Sequence, residues 1–353
     1  MDLNKLFTPA AVAANFIEST SNRVPYLGSG LFQPKKKAGL DLSWVLGANG
    51  LPVSLAPSTF DSKARFRDRI GVEKIETEMP FFREGYLIKE KDRQELLRAQ
   101  SSSDPYAMAV IDRVFNDTQN LIEGANVVPE RMIWQLLAPT NGNPGITISA
   151  NGVDYTYNYD PNNTFKSSNY MALESNKWNN AASCDPIGDL MTAKGNIESR
   201  TGTVVTTAIM SRKTMNYLLK ADSVKAAVLT QNPSSRVILT DQVVKDLIAS
   251  ILGIDIIVYS KMYKNEAGTS AQFYPDDMVT LVPDGYLGSV WYGTTPEEAD
   301  LMGSSDAEVS VVNTGVAVTR IVNTHPVNIE LYASEIVLPS FERMMEVAVL
   351  KVV

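Results

Sequence analysis

The strongest periodic signal in the chain lies between residues 104 and 137. Ala107, Val110, Ile111, Val114, Thr118, Leu121, Ile122 and Ala125 recur at intervals of three and four, which places them on one face of an α-helix. Asp104 and Pro105 open it as N-cap and first-turn proline. Pro129 is expected to kink or interrupt it, because proline lacks a backbone donor and crowds the preceding turn. Residues 132–137 resume the pattern before Pro139 and Gly142 stop it. At 1.5 Å per residue the whole would extend roughly 50 Å. That is too long for one small domain and suits a spine.

Ahead of the spine the pattern is different. Residues 9–19 read as a short helix led in by Thr8, and Pro25, Gly28, Gly30, Pro34 and Lys35 to Lys37 follow as a turn-rich, extended arm. Leu40, Leu42 and Trp44 alternate, residues 47–50 turn, and Leu51, Val53 and Leu55 alternate again, which predicts a hairpin. Residues 63–70 then put Lys63, Arg65, Arg67 and Arg69 on one face of a strand, with Ala64, Phe66 and Ile70 on the other. Four like charges on one ribbon face repel unless something negative lies opposite. In the strand at 72–79, Lys74, Glu76 and Glu78 share a face that offsets part of that charge if the two pair.

Beyond the spine, residues 146–159 read as a hairpin turning at 150–152, and 160–185 as an Asn- and Ser-rich connection. An α/β segment begins near Pro186. Residues 204–210 form a β-branched strand, and Ser211 caps a helix to about Lys220. Thr240 or Asp241 caps another helix, with Val243, Val244, Leu247, Ile248 and Ile251 turned inward and Gly253 as its stop. Strands follow at 254–259, 273–282 and 285–293, around Pro283, Asp284 and Gly285; 309–322, 329–338 and 344–353 are strand-rich.

Composition narrows the class. The chain has 353 residues, of which 44% are hydrophobic and 20% charged, an ordinary globular balance with room for more than one domain. The net charge of −8 is uneven. Residues 1–103 hold 15 basic and 12 acidic side chains, a net of +3, and the remainder 17 and 28, a net of −11. This favours contact between the front of one copy and the back of another, and speaks against a dedicated nucleic-acid binder. No apolar run approaches the ~20 residues of a membrane span. The first residues lack a signal peptide's pattern, so a soluble protein made in the cytosol is expected and the sequon at Asn162 is idle.

Candidate chemistry is thin. One cysteine, Cys184, and one histidine, His325, leave no disulfide, no Cys-rich metal site and no paired nucleophile and base. Asp276, Asp277 and Asp284 carry the oxygens a hard cation takes, but Tyr-Pro-Asp-Asp and Pro-Asp-Gly are turn chemistry. Gly28-Ser29-Gly30 lacks the lysine of a phosphate-binding loop and reads as a turn. Lys35 to Lys37 read as a solvated run. Neither catalytic, metal nor cofactor-binding residues are expected.

An ordered series of segments nevertheless resembles a known family. The run from Gly202 to Lys220 (GTVVTTAIMSRKTMNYLLK) with VKAA at 224–227, then IDIIVYS at 254–260, FYPDDMVTL at 273–281 and LGSVWYG at 287–293, looks like the strand–helix–helix unit and following strands of lambda-type major capsid proteins, the major capsid protein E family of tailed phages. The closing segments 329–338 (IELYASEIVL) and 347–352 (VAVLKV), and FREGYLIK at 82–89, are similar to that family's strands. The resemblance runs from about residue 40 to the end and is weakest at 1–39 and 139–195.

The resemblance implies an α+β tailed-phage capsid fold. Residues 1–39 would be an N-terminal arm and 40–92 an extended loop reaching a neighbour. Residues 93–185 would be a peripheral domain with the spine, 186–320 an axial domain, and 321–353 the return strands of the peripheral sheet. It implies a structural subunit of an icosahedral head that encloses double-stranded DNA, made of hexamers and pentamers, with a scaffolding protein, a portal, a possible decoration protein and only weak, non-specific contact with DNA. The virion would be its location, after assembly in the host bacterial cytoplasm. Inter-subunit contacts are expected at Lys63, Arg65, Phe66, Arg67, Arg69, Trp44, Leu51 and Val53. Two alternatives stand beside it: the shell of a cellular nanocompartment, and a soluble α/β enzyme using Cys184 or the Asp276/Asp277 pair.

Overall fold

The computed structural model describes residues 25–46, 73–91, 94, 105–150, 152–228, 239–304 and 307–353, with the backbone alone at 45–46, 73–76 and 105–119. The helix expected at 9–19, the strand at 51–55 and the basic strand at 63–70 lie outside these residues.

In chain order the helices are α1 (Gly28–Leu31), α2 (Pro105–Leu137), α3 (Thr164–Ser168), α4 (Pro186–Thr201), α5 (Arg212–Lys220), α6 (Asp222–Val228) and α7 (Asp241–Leu252). The first strands are β1 (Phe32–Lys36), β2 (Asp41–Leu46), β3 (Glu73–Glu78), β4 (Phe81–Ile88), β5 (Gly145–Ala150), β6 (Val153–Asn158), β7 (Tyr170–Ala172), β8 (Val205–Met210) and β9 (Asp255–Val258). Then come β10 (Met262–Lys264), β11 (Ser270–Gln272), β12 (Met278–Pro283), β13 (Gly288–Tyr292), β14 (Ala307–Val312), β15 (Val316–Thr324), β16 (Val327–Ser340) and β17 (Ala348–Lys351). A π-helical turn spans Glu297–Leu301. The described residues divide into two compact units. One draws on the described parts of 1–43, 76–132 and 288–340, the other on those of 44–75, 133–287 and 341–353.

The first unit is organised by β16, fourteen residues long. One edge of β16 pairs antiparallel with β15 as far as Ser334 and then with β13 from Val337, while the other carries β4 from Ile329 to Ile336. Parallel β1 completes one side beyond β13, and β14 the other beyond β15. The spine α2 lies on one face of this sheet. Leu121 and Ala125 pack on Val316 and Ala333, and Ile122 on Val312 and Val318. On the strand's opposite face Ser334 donates to Glu297 at 2.9 Å, and Glu297 pairs with Arg83. The segment before β1 is clasped to the spine, because the Gly28 and Ser29 amides donate to the Glu130 carboxylate at 3.0 and 3.2 Å.

The spine is not interrupted at Pro129, contrary to the sequence expectation, and runs for 33 residues. An interior proline costs about 3 kcal/mol in an isolated helix. Here Leu121, Ile122 and Ala125 before it, and Met132, Ile133 and Trp134 after it, are all buried. Burial on both sides outweighs the missing donor.

The second unit holds a five-stranded mixed sheet in the order β7-β17-β12-β8-β9. Helices α4 to α7 join its core: Leu190, Ala193 and Ile197, Met215 and Leu218, Val224, and Val244, Ile248 and Leu252 gather on Val205, Ala208, Met210, Val279, Leu281 and Leu350. The local signals at Ser211 and Gly253 act as expected. Asp185 accepts from the Gly188 amide at the start of α4, and Ser211 from the Thr214 amide at the start of α5. Gly253 stops α7 at φ +63°, where a side chain is strained. Trp134 sits 5.1 Å from the Tyr259 ring and 5.2 Å from that of Tyr274, while Thr280 donates to the Leu137 carbonyl at 2.8 Å.

Two readings differ from the sequence expectation. In α7 Val244, Ile248 and Leu252 are buried and Leu247 packs on the core partly covered, whereas Val243 and Ile251 are 41% and 50% exposed. A helix lying on other elements buries one face, with Leu247 at its margin and Val243 and Ile251 beyond it. Strand β2 pairs with β3, and the strand expected at 51–55 as its hairpin partner lies outside the described residues. The boundaries 186–320 and 321–353 do not coincide with the two units, because β13, β14 and β15 pair into the β16 sheet while residues 341–353 return to the other unit. Strand pairing, not order along the chain, sets the division. The two faces of α7 also predict a contrast. Ile248→Ala should destabilise by about 2–5 kcal/mol, and Val243→Ala by less than about 1 kcal/mol, read as urea unfolding midpoints. Equal losses would contradict the orientation of the helix.

Candidate subunit-contact surfaces

The groups with possible chemistry are occupied by the chain's own structure. Asp276 accepts from the Ser211 hydroxyl at 2.7 Å, and the Asp277 carboxylate takes Lys213 and the Tyr217 hydroxyl, both at 2.9 Å. Asp277 has φ +64°, and its amide donates to Thr214. The pair therefore fastens the loop before β12 to the start of α5. The hydrogen bond to Asp277 raises the Lys213 pKa, while Tyr217 is raised first by burial and then by the same carboxylate. Among the described residues no group of three or more His, Cys, Asp and Glu could hold a metal ion. Asp284 binds the amide of its neighbour Gly285.

Cys184 is buried beside the Ala181 carbonyl, and burial pushes its thiol pKa up, away from the thiolate a nucleophile needs. His325 is exposed in the turn between β15 and β16. The lysine run is engaged within its own unit. Lys35 lies 5.3 Å over the Trp291 ring, Lys36 pairs with Glu298, and Lys37 donates to the Asp41 carbonyl. The Gly28-Ser29-Gly30 stretch forms the one-turn helix α1.

Of the expected contact residues, Lys63, Arg65, Phe66, Arg67, Arg69, Leu51 and Val53 lie outside the described residues. Trp44 is placed, and only 6% exposed, against Tyr159 with ring centroids 5.2 Å apart.

The structure adds two surfaces that were not singled out from the sequence. On α7, Val243 and Ile251 stand exposed with partly covered Leu247 between them, and Ile257 of the adjacent strand β9 is also exposed. At the far end of the β16 sheet, Tyr86, Val322 and Val327 are exposed on one face, and Leu87, set against Glu330 by the register, on the other. The α7 surface had a signal. Six apolar residues among twelve, Val243, Val244, Leu247, Ile248, Ile251 and Leu252, make a face wider than a single packed stripe. The sheet-end surface had none, because its members come from three strands brought together only by folding.

Known structures resemble this arrangement. A phage-related protein of Bordetella bronchiseptica RB50 aligns with a TM-score of 0.58 at 13% identity, covering 98% of this chain and 96% of that one. A prophage capsid protein of E. coli CFT073 aligns with a TM-score of 0.58 at 14% identity, covering 100% and 99%. The capsid subunit of cyanophage A-1(L) aligns at 0.52 and 11%, covering 94% of each. At these identities the likeness is one of fold, and the fold is that of phage capsid subunits. No curated protein matches the chain. The family model of phage major capsid protein E matches residues 11–352, nearly the whole chain, and the chain belongs to that family.

Proposed function

We propose that this subunit of a phage or prophage head shell assembles as hexamers and pentamers in the host bacterial cytoplasm, around a scaffolding protein and beside a portal, with a decoration protein as a further candidate partner. The observation that carries the proposal is the family match over residues 11–352, and the apolar side chains left outward on α7 and at the sheet end supply surfaces for repeated contact. A ring or shell of identical copies needs one patch of each subunit to meet a different patch of the next. The charge asymmetry of the chain fits such a head-to-tail contact. The unit carrying the spine then takes the peripheral role, the unit carrying α4 to α7 the axial role, and residues 40–92 the loop that reaches a neighbour. The net of −11 over residues 104–353 keeps contact with packaged DNA weak, since phosphate binding depends on Lys and Arg.

Electron microscopy of the purified chain tests this directly. Rings, tubes or closed shells are expected, and a chain that stays monomeric at every concentration and salt tried would defeat the proposal. Two double variants locate the contacts. Arg65→Glu with Arg67→Glu should block assembly while leaving the thermal midpoint of the monomer in place, because these guanidiniums are suited to bidentate pairing with carboxylates of an adjacent copy. Normal shells from that variant would remove the ribbon from the interface. Val243→Lys with Ile251→Lys should likewise shift sedimentation toward free subunits, at a stability cost within about 0.5 kcal/mol.

A further inference from the structure

Every buried carboxylate but one in the described chain has donors. Glu130 takes two backbone amides, Asp160 the amides of Thr164 and Lys166, Glu297 the Arg83 guanidinium and the Ser334 hydroxyl, and Glu346 the Arg343 guanidinium. Glu335 is the exception. It is 2% exposed, and neither of its oxygens has a hydrogen-bond partner. It lies on β16 two residues beyond Ala333, hence on the same strand face, and Ala333 packs under Leu121 and Ala125 of the spine. A carboxylate cannot stay ionised in such a place without a partner.

The groups around it supply none. On β4 the residue opposite is Phe82, and Arg83 beside it is turned to Glu297 on the other face. Glu84 and Tyr86 follow on the Glu335 face of β4, exposed. On β15 Arg320 pairs with Glu308 of β14. On α2 Glu123 accepts from Tyr26, Glu130 holds the arm, and Arg131 gives Glu335 no hydrogen bond. From β13 comes Tyr292, whose side chain lies so close to Gly315 that an added Cβ there would meet the Tyr292 Cβ at 2.5 Å and its ring at 2.6 Å. Burial first, and the Glu335 charge second, hold the Tyr292 hydroxyl well above its usual range; it stays neutral, and a phenol has no cationic form to balance an ionised Glu335.

We propose that Glu335 is a proton-dependent latch between the β16 sheet and the spine helix. As a neutral acid it is tolerated in the buried face and the spine stays seated. Once ionised it draws water into that face and loosens the seat. Burial raises the Glu335 pKa well above the ordinary carboxyl value. The sign follows: the stability of the seated state is complete below the unfolded carboxyl pKa, and it is lost progressively as pH rises toward the higher folded value. The latch therefore releases on the alkaline side. It belongs to the folded chain itself and does not depend on how copies assemble.

The test compares the full chain with Glu335→Gln, the neutral isostere, by urea unfolding at several values between pH 5 and 9. The folding equilibrium constant of the unaltered chain should fall relative to that of the variant, by up to about tenfold per pH unit, the limit for one proton. Hydrogen exchange of the spine amides at 120–132, corrected for its intrinsic pH dependence, should speed up at high pH in the unaltered chain and not in Glu335→Gln. Parallel pH profiles for the two proteins would overturn the latch. So would failure of Glu335→Gln to fold at pH 7, since a site that accepts a neutral acid must accept the neutral amide of the same shape.

Discussion

The first unit depends on the register of β16. This strand meets β15 and then β13 along one edge and β4 along the other. It thereby joins residues 81–88, 288–292 and 316–324, which are far apart in the chain, in one sheet. Side chains alternate between faces, so a slip by one residue would turn Ala333 away from the spine and bring Ser334 beneath it. Ser334 would then lose Glu297, and the buried Glu297 would lose one of its two partners. Burial against Leu121, Ile122 and Ala125 selects the register, and the same register puts Glu335 where no donor reaches it.

The chain's polar groups hold the fold together instead of gathering into a reactive site. Asp276 and Asp277 fasten a loop to α5, Glu130 fastens the arm to the spine, and Cys184 is a buried thiol. Membership of a structural capsid family accounts for this pattern and sets aside both the enzyme and the nanocompartment alternatives. A shell subunit works through extended surfaces made on folding. The exposed stripe of α7 and the apolar end of the β16 sheet have that character.

Much of the local structure was legible in the sequence. Ser211 before α5 and Gly253 after α7 mark helix ends, because capping depends on a side chain and a backbone a few residues apart. The apolar spacing from Ala107 to Ala125 announced the spine. Pro129 was misleading, since the rule for proline describes an isolated helix and this one is held by burial on both sides of that residue. The orientation of α7 was misread for a related reason: six apolar residues offer two adjacent stripes, and their periodicity does not tell which one meets the core.

The sequence by itself determined the elements, the poverty of catalytic groups, the charge asymmetry and, through an ordered series of segments, the family. These follow from near neighbours in the chain or from composition. Only the tertiary structure decided that residues 288–340 join the spine in one unit while 341–353 return to the other, that Trp44 is buried on Tyr159, and that among the described residues Glu335 is the one buried carboxyl without a donor. Each of these depends on contacts between distant stretches of chain. Such contacts are set by which registers and faces bury the most apolar surface while satisfying the buried polar groups, a competition that no local window of sequence contains.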